Sequence, residues 1–242
     1  SVFTGNPGTG KTTVARILAQ IYKALGILEK GNLVECDRQS LIGGYIGQTA
    51  IKTGDIIDKA MGGVLFIDEA YSLTEGGNSD YGKEAIEIIL KRMEDFRGKF
   101  IVIAAGYTDN MTRFIESNPG LKSRFDKVFE FEDFDGELLL DIALNQLSDA
   151  GFTISDTVKK SLASLINRMY ESKDQYFGNG RSIRKIVEAA IRTQHLRMSE
   201  LAPVKRTAKS IKSLTIDDIT NITFEDKSKP DVIPTLGFRL SN

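Results

Sequence analysis

The chain has 242 residues, 41% of them hydrophobic, with 32 Lys and Arg against 33 Asp and Glu, for a formal net charge of −1. That is enough apolar material for one large domain or two. The near-neutral balance gives no electrostatic case for a nucleic-acid partner, and with no run of about 18 apolar residues nothing is expected to span a membrane. Cys36 is the single cysteine and His195 the single histidine: no internal disulfide can form, a reducing, cytoplasmic compartment is expected, and a zinc site of the usual ligand count is excluded.

In chain order, Val2-Phe3 is a short apolar run leading into Gly5-Asn6-Pro7-Gly8-Thr9-Gly10-Lys11-Thr12-Thr13. This fits G-x-x-x-x-G-K-[ST], in which glycines let backbone N–H groups close around phosphate, the lysine (Lys11) reaches the β- and γ-phosphates, and the hydroxyl of Thr12 binds Mg²⁺. A glycine-rich turn with a chance lysine is the plainer reading, and the context opposes it. Val14, Ile17, Leu18 and Ile21 fall at i, i+3, i+4 and i+7, so an amphipathic helix begins where a phosphate needs its N-terminus. Residues Asn6 to Thr13 are therefore expected to bind a nucleoside triphosphate.

Asn32 to Cys36 reads as a second strand, and Gly43-Gly44-Tyr45-Ile46-Gly47 as a mobile loop before a helix running to about Met61. Val64-Leu65-Phe66-Ile67 is apolar throughout, as in a parallel strand buried on both faces, and its carboxyl end delivers Asp68-Glu69 to the ligand crevice. Ile86, Ile89, Leu90 and Met93 mark another helix, Phe100 to Ala105 another buried strand, and Val128 to Phe131 one more. Strand and helix alternating in this way indicate an open α/β sheet. From Asp135 onward the pattern is helical: one helix carries Leu138, Leu139, Ile142 and Leu147, a second runs from about Ser155 to Tyr170, and a third carries Ile183, Ile186, Val187 and Ala190. An apolar patch, Leu214 to Ile222, precedes a polar segment with Pro230 and Pro234 that reads as a loosely held tail.

Asp68 can hold Mg²⁺ opposite Thr12, and Glu69 can orient or deprotonate the attacking water. A strand-terminal turn would carry the same two acids without chemistry, but an upstream phosphate loop favours hydrolysis. No Asn-Lys-x-Asp element for guanine is found. A small-molecule kinase would share the loop and the Mg²⁺ ligand and stays open.

Further blocks make a family resemblance specific. Gly44-Tyr45-Ile46-Gly47-Gln48-Thr49-Ala50, Gly62 to Tyr71, Ala105-Gly106-Tyr107, Asn118-Pro119-Gly120-Leu121-Lys122-Ser123-Arg124-Phe125 and Gly178-Asn179-Gly180-Arg181-Ser182-Ile183-Arg184 follow the phosphate loop in order. Over about residues 1 to 200 the chain resembles the AAA+ ATPases of the CbbX/SpoVK group, which includes red-type Rubisco activases. The resemblance implies a P-loop NTPase parallel sheet flanked by helices, followed by a small all-helical lid, with ATP and Mg²⁺ as cofactors. The expected division is residues 1–133, 134–202 and a C-terminal extension, 203–242. It further implies Lys11 and Thr12 as Walker A residues, Asp68 and Glu69 as the Walker B pair, Arg124 as an arginine finger reaching a neighbouring subunit, and Arg181 as the sensor-2 arginine, with Arg184 a second candidate. The family's sensor-1 asparagine has no counterpart, and Tyr107 or Thr108 stands nearest. Tyr45-Ile46-Gly47 resembles the pore loop with which AAA+ rings grip polypeptide, so the expected partners are further copies, in a hexamer, and a protein client. A nucleotide-gated assembly module and a nucleic-acid-directed motor are the alternatives. Family members carry a segment before the first strand that helps enclose adenine, and without one the expected nucleotide affinity is weak.

Overall fold

Strands without polar alternation need cover on both faces, and the sheet supplies it. The computed structural model describes residues 1–45, 47–75, 81–202, 204, 206–220 and 222. The chain divides into two units, Ser1–Asp135 with Gln175–Arg184, and Gly136–Asp174 with Lys185–Asn242.

The first unit holds five parallel strands, β1 (Val2–Gly5), β2 (Leu33–Cys36), β3 (Val64–Ile67), β4 (Ile101–Gly106) and β5 (Val128–Phe131), in the order β2-β3-β4-β1-β5. β3 is buried along its whole length. Alternate residues serve the two faces: Leu65, Ile67, Val102 and Ala104 share a core with α3 (Gln48–Ala60), α4 (Gly82–Asp95), α5 (Thr108–Glu116) and α6 (Pro119–Arg124), whereas Phe3, Phe66, Ile103 and Ala105 share one with α1 (Lys11–Ala24).

On α1 the structure corrects the expected face. Ala15 and Ala19 are fully buried, while Val14, Ile17 and Ile21 are 36%, 53% and 44% exposed. The physical reason is size. The sheet presents Phe3 and Phe66 to this helix, and small residues let its backbone approach closely enough to cover them, so the apolar stripe read at helical spacing is rotated off the core. Periodicity also passed over α5 and the short elements of both units. Among the short ones are α2 (Arg38–Leu41), whose cap Asp37 accepts from Ser40 N–H, a 3-10 turn at Ala70–Thr74, and α6, where Asn118 accepts from Gly120 N–H ahead of Pro119. None of these three repeats a helical period long enough to be read.

The second unit contains α7 (Gly136–Asp149), α8 (Asp156–Glu171), most of α9 (Asn179–Glu200), α10 (Ala208–Ile211) and α11 (Asp217–Thr220). Ser155 caps α8, and on α9 Ile186, Val187 and Ala190 are buried as the spacing requires, as is Ile183 in the part of that helix that belongs to the first unit. The residues after α9 are bound into this unit: Gln194 Nε2 donates to Ile211 O at 2.9 Å, Arg197 Nη2 bonds Asp218 Oδ2 at 2.7 Å, and Thr153 bridges Ser213. Pro230 and Pro234 lie outside the described residues. Among the described residues no helix is long and apolar enough to cross a membrane.

Candidate nucleotide site

Residues Asn6 to Thr13 connect β1 to α1, at the carboxyl end of the sheet. Gly8 at φ +75° and Gly10 at φ +90° take left-handed conformations that a side chain resists. Gly10 stands at the N-cap of α1 with no side-chain cap bond, and no acid occupies the first turn. The amides of that first turn, with the helix dipole behind them, form a ready anion site. Thr9 Oγ1 donates to Asn6 O at 2.8 Å, which tightens the loop on itself.

Lys11 Nζ donates to Gly5 O and to Asn6 O, both at 2.8 Å, so the ammonium is held by its own loop. Burial lowers its pKa, the carboxylate of Asp68 counters that, and the guanidinium of Arg181 adds to the lowering. The charges of Asp68 and Arg181 therefore both act on Lys11. Thr12 is half-buried and Thr13 exposed at the start of the helix.

Asp68 and Glu69 leave β3 exposed at its carboxyl end. Asp68 N–H donates to Cys36 O at 2.9 Å, and Asp68 Oδ1 accepts from Glu69 N–H at 3.1 Å. Glu69 is left-handed at φ 48°, ψ 44°, an uncommon geometry for a residue with a long side chain. An open cavity of about 290 Å³ lined by Asp37, Arg38, Gln39, Asp68, Glu69 and Ser72 adjoins the pair. Tyr107, at the end of β4, has its ring 6.3 Å from that of Tyr71 and 5.8 Å from that of Tyr176. Its phenol pKa is raised by burial and then by Glu69, with Arg181 working the other way. Thr108 opens α5 next to it.

The donor set fits Mg²⁺. The ion keeps waters and substrate phosphates in its shell and needs only one or two protein oxygens, and here a carboxylate, Asp68, lies within electrostatic reach of the loop that carries the Thr12 hydroxyl.

Three expected residues stand elsewhere. Arg124, at the end of α6, bonds Glu94 Oε2 at 3.2 Å and Ser123 Oγ at 3.3 Å, rather than the loop, and its buried Nε has no partner. Arg184 is exposed one turn beyond Arg181. Tyr45 is 75% exposed, on a segment tied down on either side by Gly43 N–H to Thr49 Oγ1 at 3.0 Å and Gln48 N–H to Tyr45 O at 3.1 Å. Gly47 is left-handed at the N-cap of α3, and Ile46 lies outside the described residues. The sequence reading gave no role to Asp133 or Asn179, although both bond the phosphate loop. Asp133 Oδ1 accepts from Asn6 Nδ2, and Asn179 Nδ2 donates to Pro7 O. An asparagine between two glycines is a signal for a left-handed residue, and that could have marked Asn179.

Comparison with known proteins agrees with this geometry. The profile of the ATPase family associated with various cellular activities (AAA) matches residues 1–133, and that of an AAA lid domain matches residues 135–229. Stage V sporulation protein K of Bacillus subtilis (strain 168) is 42% identical over 220 residues, which cover 87% of this chain and 68% of that protein. Protein CbbX of Cereibacter sphaeroides is 43% identical over 218 residues, covering 90% and 70%. In fold, the FIGL-1 AAA domain superposes with a TM-score of 0.62 at 18% identity, over 90% of this chain and 67% of that one. With a phosphate loop at the head of α1, paired acids after β3 and relatives of this similarity, the chain belongs to the AAA family of ATPases, as a relative of stage V sporulation protein K and CbbX.

Proposed function

We propose that the protein is an ATP-driven remodeller that works as a ring of its own copies, a hexamer, on a protein client. The observation that carries the reading is the glycine loop at the uncapped, acid-free start of α1, which holds the Lys11 ammonium on its own carbonyls, with the charges of Asp68 and Arg181 acting on that ammonium. That arrangement suits a triphosphate whose terminal charge must be held and then redistributed. Loop amides from Asn6 to Thr13 cradle the phosphates, and Lys11 exchanges its two loop carbonyls for phosphate oxygens. Thr12 and Asp68 would hold Mg²⁺, which when bound would supply positive charge to the terminal phosphates. Glu69 takes the proton of the attacking water, and Arg181 steadies the nucleotide. Arg124 of a neighbouring copy completes the site, so turnover depends on assembly. Residues 1–133 bind nucleotide, 134–202 form the lid, and 203–242 extend it.

Tyr45, with Ile46 and Gly47, grips the client. An exposed aromatic on a glycine-flanked loop offers an apolar contact indifferent to sequence, and the near-neutral charge favours polypeptide over nucleic acid.

Mixing subunits tests the assembly. Glu69→Gln and Arg124→Ala proteins are each expected to be inactive, while an equal mixture recovers up to about a quarter of wild-type phosphate release, because random neighbours pair an intact base with an intact finger. Wild-type turnover per subunit falls on dilution in parallel with loss of the sedimenting ring. An unfolded polypeptide stimulates wild type and leaves Tyr45→Ala at its basal rate. Constant turnover across dilution, with no recovery in the mixture, would overturn the ring.

A further inference from the structure

Asn179 joins three stretches that are far apart in sequence. It is 0% exposed and left-handed at φ +44°. Its Oδ1 accepts from Phe134 N–H at 2.8 Å, and its Nδ2 donates to Asp133 Oδ1 at 2.7 Å and Phe177 O at 3.1 Å, with a longer share to Pro7 O at 3.4 Å. Asp133 Oδ1 also takes Asn6 Nδ2 at 3.0 Å. The backbone repeats the contact: Gly180 N–H donates to Gly8 O at 3.1 Å, and a Cβ on Gly8 would stand 2.2 Å from Gly178 O and 2.7 Å from Arg181 N. The phosphate loop and the first turn of α9 therefore meet without room for a side chain at Gly8.

Arg181, two residues after Asn179, is exposed, and no hydrogen bond or ion pair holds its guanidinium among the described residues. A side chain without partners is aimed by its backbone. What fixes that backbone is the amide network just upstream, whose members include the loop's own Asn6 and Pro7.

We propose that Asn179 is a positioning residue for ATP hydrolysis: with Asp133 and Asn6 it clamps the first turn of α9 to the phosphate loop and thereby directs Arg181 at the nucleotide. This rests on the reading of Arg181 as a nucleotide-contacting group. A clamp of this kind acts entirely through Arg181, so removing it and removing Arg181 are not independent losses.

Asn179→Gly is the informative change, because glycine accepts the left-handed backbone freely and only the amide is lost. Steady-state ATP hydrolysis is measured for Asn179→Gly, Arg181→Ala and the double variant, with thermal unfolding of each. The expected result is a fall of about tenfold in kcat/KM for Asn179→Gly, and a double variant no slower than Arg181→Ala alone. Wild-type kinetics in Asn179→Gly, or losses that multiply in the double variant, overturn the clamp and leave the Arg181 reading standing. Wild-type kinetics in Arg181→Ala overturn that reading and the clamp with it. Should Asn179→Gly fail to fold, Asp133→Ala, which removes the acceptor shared by Asn179 Nδ2 and Asn6 Nδ2, takes its place in the same cycle. A fall in kcat/KM that disappears in the Arg181→Ala background supports the clamp, and wild-type kinetics or losses that multiply overturn it.

Discussion

Glu69 occupies a backbone conformation that its side chain does not favour, φ 48° and ψ 44°. Its surroundings impose this: the residue before it is tied to β2 through Asp68 N–H and Cys36 O, the residue after it is fully buried Ala70, and its own carbonyl accepts from Ser72 N–H at 2.9 Å. A left-handed non-glycine residue costs on the order of 1 kcal/mol. Glu69→Gly is therefore expected to stabilise the fold by about 1 kcal/mol in urea denaturation while ATP turnover disappears. Glu69→Gln keeps the backbone cost and should show no such gain. The carboxylate was legible in the sequence because it follows an apolar strand. The strain was not, because no glycine or asparagine marks the position. Lys11 and Thr12 were legible for the opposite reason, their spacing being a local property of the loop, whereas Asn179 acts on partners 46 and 172 residues away, Asp133 and Pro7.

At the scale of elements, β3 and β4 could be read because strands buried on both faces leave unbroken apolar runs. Helix α1, on the Phe3 and Phe66 side of the sheet, could be located but not oriented. Alanine contributes little to an apolar pattern, yet Ala15 and Ala19 are the residues that meet the sheet. Ile17→Ser is therefore expected to change stability by no more than about 0.5 kcal/mol, as at an ordinary exposed position. Ala19→Leu should cost about 1–3 kcal/mol by overfilling the contact. Thermal and urea unfolding of the two variants check the orientation, and the reverse ranking would restore the face expected from periodicity.

For the whole molecule, the first turn of α9 belongs to the sheet-containing unit and the rest of that helix to the helical one. The chain thus leaves its nucleotide-binding fold at Asp135 and returns to it at Gln175 for ten residues that carry Asn179 and Arg181. Composition marked the change to helices, but a return of the chain leaves no trace in periodicity. Cys36 offers a way to follow the sheet. It is the single thiol, it is 6% exposed, and burial, then the neighbouring Asp37, pushes its pKa up to about 12. Its side chain lies in the core that this face of the sheet shares with Leu41 of α2 and Ile57 of α3, so a thiol reagent can modify it only when that cover opens, at the end of β2 whose carbonyl, Cys36 O, accepts from Asp68 N–H. Labelling of the unmodified protein should therefore slow when ATP and Mg²⁺ are present, by up to about a hundredfold at a ligand concentration a hundred times Kd, and should not slow in Lys11→Ala. The chain carries, without any engineered residue, a chemical clock for how often the cover over this end of its sheet, beside the paired acids, comes open.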